Sequence, residues 1–251
     1  MLIIPANSLS GGFTVDHSCS FAESSSTDLR ISDYSSDGTS RRKRTYSLWI
    51  KRGNTGYAVL FAGPLGADHF VINENNTIQF NVGYGTDTRR VTSDTYTSTT
   101  AWVHIVFAFD TTQSSAANRF TLWINGTATS TSIVSGKNDV QQNEQSTLFI
   151  NTTHLGRNTN IIGTDTESGG YTGLMAEFVF IDGQKLDADS FGYDDGGTWK
   201  PIDVSELTFG TNGFYLNFET ASDLGIDAAN DNDFEPTNIS SSNQSSDTPT
   251  S

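Results

Sequence analysis

Apolar residues in this chain come in short alternating runs, with turn residues between them. The strongest run spans Trp102 to Phe109. On an extended backbone Val103, Ile105, Phe107 and Phe109 share one face, and Trp102, His104, Val106 and Ala108 share the other. A strand apolar on both faces belongs in the middle of a sheet. The next run, Phe120 to Ile124, ends in Asn125-Gly126, two residues that tolerate positive φ, so a hairpin is predicted there. Tyr46, Leu48 and Ile50 share a face of another strand. Phe70–Ile72 and Ile78–Val82 flank the turn-rich Asn73–Asn76 and read as a second hairpin. Leu148–Ile150, His154–Gly156, Gly173–Ile181 and Phe214–Phe218 read as further strands. Helix signals are nearly absent; one turn is predicted from Asp187 to Phe191, with Asp187 as its cap. The pattern predicts an all-β antiparallel sandwich.

Only 35% of the 251 residues are hydrophobic, yet there are 16 Phe, 8 Tyr and 4 Trp, so the core must be built largely from rings. A net charge of −15 repels phosphate backbones and argues against a nucleic-acid partner. The one dense basic run, Arg41 to Arg44, reads as a solvated loop or strand edge. The single cysteine, Cys19, excludes an intrachain disulfide and reads as a small buried hydrophobe. The N-terminus carries no signal-peptide pattern, and no apolar stretch is long enough for membrane insertion. Residues 1–12 are expected to form an N-terminal arm, 13–239 one sandwich, and 240–251 a polar tail or linker without an apolar anchor.

Three ordered segments carry a family resemblance. They are Thr45 to Arg52 (TYSLWIKR), Trp102 to Asp110 followed by Arg119 to Gly126, and Leu155-Gly-Arg157 followed by Tyr171 to Ile181. Together they resemble laminin-G-like/concanavalin-A-like jelly rolls. A further set resembles the version of this family found in tailed bacteriophages: Phe180 to Gln184, Phe191-Gly192, Trp199-Lys-Pro201, Gly210 to Phe218, Asp227, and Asn232 to Phe234. That resemblance implies a jelly-roll virion protein (tail fibre, spike or head appendage), assembled in the host cytoplasm. Its implied partners are other virion proteins, copies of itself (phage fibres are commonly trimers) and a host-surface glycan. The alternative is a free carbohydrate-binding lectin module, calcium-dependent or not. A polysaccharide-cleaving enzyme is a third, weaker alternative.

The residues argue against catalysis. Glycan cleavage needs two carboxylates flanking the scissile bond. The central strands offer Glu177 and then Asp182, whose odd spacing puts them on opposite faces. The four histidines are scattered, and His104 reads as a packed residue with a satisfied hydrogen bond. Sugar binding would use exposed rings beside polar loops, and the candidates in such surroundings are Tyr84, Tyr96, Tyr171 and Tyr193. Trp49, Trp102 and Trp123, in strong strands, read as packing residues. Jelly rolls of the resembling family often hold calcium, and the corresponding stretch here supplies Asp227, Asp231, Asn232 and Asp233. The same stretch also reads as an acidic, Asx-rich surface turn.

Overall fold

The computed structural model describes residues 12–22, 27–32, 38–63, 68–82, 87–150, 152–156 and 169–251. The expected arm, residues 1–12, lies outside this set except for Gly12, which is exposed.

Two large antiparallel sheets face each other as a sandwich. Sheet A runs in the order β10 (Thr127–Ala128), β9 (Phe120–Ile124), β8 (Val103–Asp110), β3 (Lys43–Arg52), β13 (Gly173–Asp182), β1 (Ser18–Phe21) and β18 (Gln244–Ser245). A further strand, β16 (Phe214–Leu216), also pairs with β13. Sheet B runs β11 (Thr131–Ile133), β7 (Thr88–Thr95), β6 (Thr77–Val82), β5 (His69–Ile72), β4 (Ala58–Ala62), β12 (Thr153–Leu155), β2 (Asp28–Ile31) and β17 (Glu235–Thr237). A separate hairpin joins β14 (Gly192–Asp195) to β15 (Thr198–Pro201). No helix among the described residues is long and apolar enough to cross a membrane.

Alternation explains the sandwich. Tyr46, Leu48 and Ile50 of β3 and Ile105, Phe107 and Phe109 of β8 point inward, as their spacing requires, and meet Phe61, Phe70 and Phe80 of sheet B. The core is a contiguous set of rings. Phe107 stacks on Tyr46 at 4.5 Å and on Phe70 at 4.8 Å, and Phe80 lies tilted against it at 4.4 Å. Cys19 is fully buried, and burial pushes its thiol up to about 12, so it behaves as packing material.

The other face of sheet A is covered as well. Val106, Val179 and Ile181 pack beneath Ala188, Phe191, Val204 and Phe209. This outer layer is why the central strands are apolar on both faces. The Asn125-Gly126 turn forms as predicted, with φ of 46° and 75°, and a Cβ on Gly126 would lie 2.3 Å from the Trp199 ring. The predicted turn near Asp187 is a 3-10 turn over Ala188–Ser190, and the Asp187 side chain makes no capping bond to it.

Three expectations are corrected. Residues 240–251 are not a detached tail: β18 pairs with β1, the Asp247 carboxylate accepts from Lys51 Nζ (2.6 Å) and Trp102 Nε1 (2.9 Å), and Thr248 is buried. Hydrogen bonds, which composition does not reveal, hold the segment down. The basic run is solvated only in part: Arg42 is exposed, but Arg44 lies on central strand β3 and is fully buried. Its Nε donates to Ser40 O at 3.0 Å, its Nη1 to Leu148 O, and its guanidinium lies 5.2 Å from the Phe180 ring. Leu148–Ile150 is a turn rather than a strand, with Phe149 at φ 52° turned into the core.

Removing the ring at the centre of this layer opens a cavity that rigid neighbours cannot fill. Phe107→Ala is expected to cost about 3–5 kcal/mol, a large share of the roughly 5–15 kcal/mol that stabilises an ordinary domain. The urea midpoint measures it, and a loss below 1 kcal/mol would show that the ring layer is not the main support.

Candidate functional site

The β14–β15 hairpin is built with two unlike faces. Its turn, Gly196-Gly197, has φ of 63° and 93°, which closes a two-residue loop between Asp195 and Thr198. Tyr193 pairs with Lys200, and Asp195 with Thr198; cross-strand partners share a face. On the opposite face Trp199 packs down onto sheet A, where its Nε1 donates to His104 Nδ1 at 2.8 Å. That anchor leaves Tyr193, Asp195, Thr198 and Lys200 lining an open cleft of about 770 Å³. Phe13 and Thr250, near the first and last described residues, complete it. Tyr193 is 38% exposed, one of two large hydrophobic side chains reaching solvent to that degree among the described residues. The Lys200 ammonium lies 2.6 Å from the Asp195 carboxylate, which holds it above its ordinary value. The cleft therefore offers an aromatic face, a hydroxyl and both signs of charge. Of these residues only Tyr193 was singled out from sequence. The Asp195-Gly-Gly-Thr198 stretch is a hairpin signal that would have exposed the others.

Two of the remaining tyrosine candidates, Tyr171 and Tyr96, lie elsewhere. Tyr84 falls outside the described residues. Tyr171 is a correction: it is fully buried, and its hydroxyl donates to Lys51 O (2.9 Å) and Leu174 O (2.8 Å). Burial pushes its pKa far up. It ties strands together and presents no ring to a sugar. Tyr96 is half-buried against the core, at the rim of an inter-sheet pocket remote in sequence from the hairpin.

The candidate calcium residues organise a loop instead. Asp227 is buried, and both of its oxygens accept backbone N–H groups: Oδ1 from Tyr215 (2.8 Å) and Ala229 (2.9 Å), Oδ2 from Asn230 (3.1 Å) and Asn232 (3.2 Å). Burial raises its pKa against the pull of those bonds. The Asp233 carboxylate accepts from Asp227 N, the Asn232 amide donates to Thr211 O and Gly213 O, and Asp231 is exposed. No grouping of three His, Cys, Asp or Glu side chains among the described residues could hold a metal ion. The Asx-rich turn is the reading that fits this geometry.

Glu177 occupies a bulge in β13, between the stretch that pairs with β1 and the stretch that pairs with β16. Its φ is 48°, in the left-handed region. Its carboxyl is buried and accepts from Tyr215 Oη; burial pushes it up to about 8, so it is protonated at neutral pH. Asp182 serves a different end, accepting from the backbone N–H groups of Thr39, Ser40 and Asn212. The two carboxylates flank no common space.

His104 touches Ser47, which invites comparison with a nucleophilic dyad. Trp199 Nε1–H donates to Nδ1, so in the neutral ring the proton sits on Nε2 and is donated to Ser47 Oγ, 2.8 Å away. Burial lowers the His104 pKa to about 3. The ring has no lone pair free to take the serine proton, and so works as a spacer stacked on Trp49 at 4.6 Å. His69 bonds Asn81, and His154 pairs with Asp28.

Two facing antiparallel sheets in this order define a laminin-G/concanavalin-A-like jelly roll. A laminin-G family model, described as the concanavalin A-like lectin/glucanases superfamily, matches residues 23–189, and the chain belongs to that family. No curated protein sequence matches it significantly. Among solved structures, a candidate carbohydrate binding protein from Bacteroides ovatus is similar at a TM-score of 0.62 and 13% identity, covering 95% of this chain and 62% of that one. The chain thus spans under two thirds of that protein. A heptameric pentraxin from Limulus polyphemus gives 0.49 at 13% identity, covering 90% and 96%. Mouse laminin alpha1 domains LG4-5 give 0.45 at 15%, covering 78% and 46%. At these identities the likeness is one of fold.

The Glu177 carboxyl couples folding to pH. Its pKa is raised on folding from 4.5 to about 8, so within that window the folded state keeps a proton that the unfolded chain has released. Its contribution to stability therefore falls as pH rises through the window and levels off above it. Glu177→Gln, which keeps an acceptor for Tyr215, is expected to flatten that slope and to be more stable than the parent above pH 8. Chemical denaturation at a series of pH values checks this; an unchanged slope would assign the pH dependence to other groups.

Proposed function

We propose that this chain is a non-catalytic glycan-binding module, with the Tyr193 cleft as its sugar-binding surface. The observation that carries this reading is the two-faced hairpin: Trp199 anchors one side while the Tyr193 ring stays open to solvent beside Asp195, Thr198 and Lys200. A sugar presents an apolar C–H face and a fringe of hydroxyls, and this surface complements both. The absence of cleavage is supported by the separation of Glu177 and Asp182 into different hydrogen-bonded settings. Membership of a lectin and glucanase family is consistent with it.

The context we propose is a subunit of a tailed-phage appendage, assembled in the host cytoplasm, homo-oligomeric and attached to other virion proteins. Its support is the ordered resemblance from Phe180 to Phe234. Those residues have structural work: Gly210, at φ 82°, sits where a Cβ would lie 1.9 Å from Asp182 O, and Phe214 packs on Phe234 at 4.9 Å. The resemblance therefore speaks for shared construction and leaves adhesion to the cleft.

Two experiments test the two parts. On a glycan array, Tyr193→Ala is expected to weaken binding about tenfold, the equivalent of ~1.4 kcal/mol, without lowering Tm, because the ring supports no core. Glycan binding that survives the substitution would overturn the site. Mass spectrometry of purified particles is expected to find the chain in the virion; its absence there would leave the free lectin module as the correct setting.

A further inference from the structure

The sandwich is open at one end. Ile50, Val103 and Ile105 of sheet A face Ile72 and Ile78 of sheet B across a pocket of about 260 Å³. Its rim is the segment from Thr95 to Ala101 that joins β7 to β8, with the half-buried Tyr96 on it. At its wall stands Arg52, 4% exposed, at the end of β3. The guanidinium donates to Asn76 Oδ1 (2.9 Å), Gly56 O (2.8 Å) and Tyr96 O, so it clips three loops together. All three acceptors are uncharged, and no carboxylate among the described residues pairs with it. That is notable in a chain with 29 acidic and 14 basic residues. A guanidinium has five N–H donors, so three bonds leave donors to spare. A buried cation without a counter-ion is costly, and an anion that enters with it recovers part of that cost.

We propose that this pocket binds a small amphipathic carboxylate, its hydrocarbon end between the two sheets and its carboxylate at Arg52. The size fits: a dry cavity of ~150 Å³ accepts benzene, so this one takes a chain of about eight carbons. The charge-assisted bond to Arg52 sets the preference for an acid over an alcohol of equal length. This site is separate from the Tyr193 cleft, whose polar lining suits hydroxylated ligands, and it stands or falls independently of the glycan reading.

The test is titration calorimetry of the full chain with octanoate and with octan-1-ol. Octanoate is expected to bind saturably and about tenfold more tightly than the alcohol. Ala101→Trp, at an exposed rim position that supports no core residue, is expected to weaken octanoate by at least about tenfold while Tm and glycan binding stay unchanged. Arg52→Gln is expected to remove the preference for the acid; if it unfolds the chain, the Ala101→Trp result and the acid-to-alcohol ratio still decide. Equal affinity for acid and alcohol would overturn the role of Arg52. No saturable binding of octanoate, or binding indifferent to Ala101→Trp, would overturn the site.

Discussion

Ring-on-ring packing between the two sheets supports everything else in this molecule. A chain this poor in aliphatic residues can exclude water from the inter-sheet space only with large side chains, and Phe supplies most of them. Tyr46 and Phe107 form the centre, with Phe180 stacked on Tyr46 at 4.8 Å and Phe149 on Phe180 at 5.0 Å. Where the rings give way to Ile50, Ile72, Ile78, Val103 and Ile105, the filling is incomplete and the Arg52 pocket opens. Core and cavity are two results of one packing problem.

The outer layer on sheet A solves a second problem. Val106, Val179 and Ile181 would otherwise present an apolar stripe to solvent. Covering them requires the chain to run back over the sheet. The return path carries the β14–β15 hairpin, held through the Trp199–His104 bond, with Tyr193 lining the cleft on the hairpin's other face. The bulge at Glu177 lies on the same central strand, where its neighbour changes from β1 to β16. Covering the sheet and presenting the cleft are thus one architectural act.

The sandwich was legible because period-two alternation is local: Tyr46, Leu48 and Ile50 point inward, as their spacing says. The Asn125-Gly126 hairpin was legible for the same reason, since its turn chemistry resides in two adjacent residues. What could not be read depends on partners distant in sequence. Tyr171 resembles a surface tyrosine until Lys51 O and Leu174 O are seen to accept its hydroxyl. Arg44 sits in a basic run, yet carbonyls from Ser40 and Leu148 let it be buried. Asp227 has a cation-binder's composition but spends both oxygens on four backbone amides. At the cleft, Tyr193 was suspected from its polar surroundings, whereas Lys200 and Thr198 became visible only through strand pairing.

The docking of residues 240–251 brings the two ends of the described chain together. Val15 N donates to Thr250 Oγ1 at 3.0 Å, Ser18 Oγ to Asp247 O at 2.7 Å, and Gly12 and Ser251 line the same cleft. With positions 12 and 251 on one cleft, a short link could bridge them without crossing the domain. Such a link would let the described domain be reopened at an exposed turn such as Gly196-Gly197.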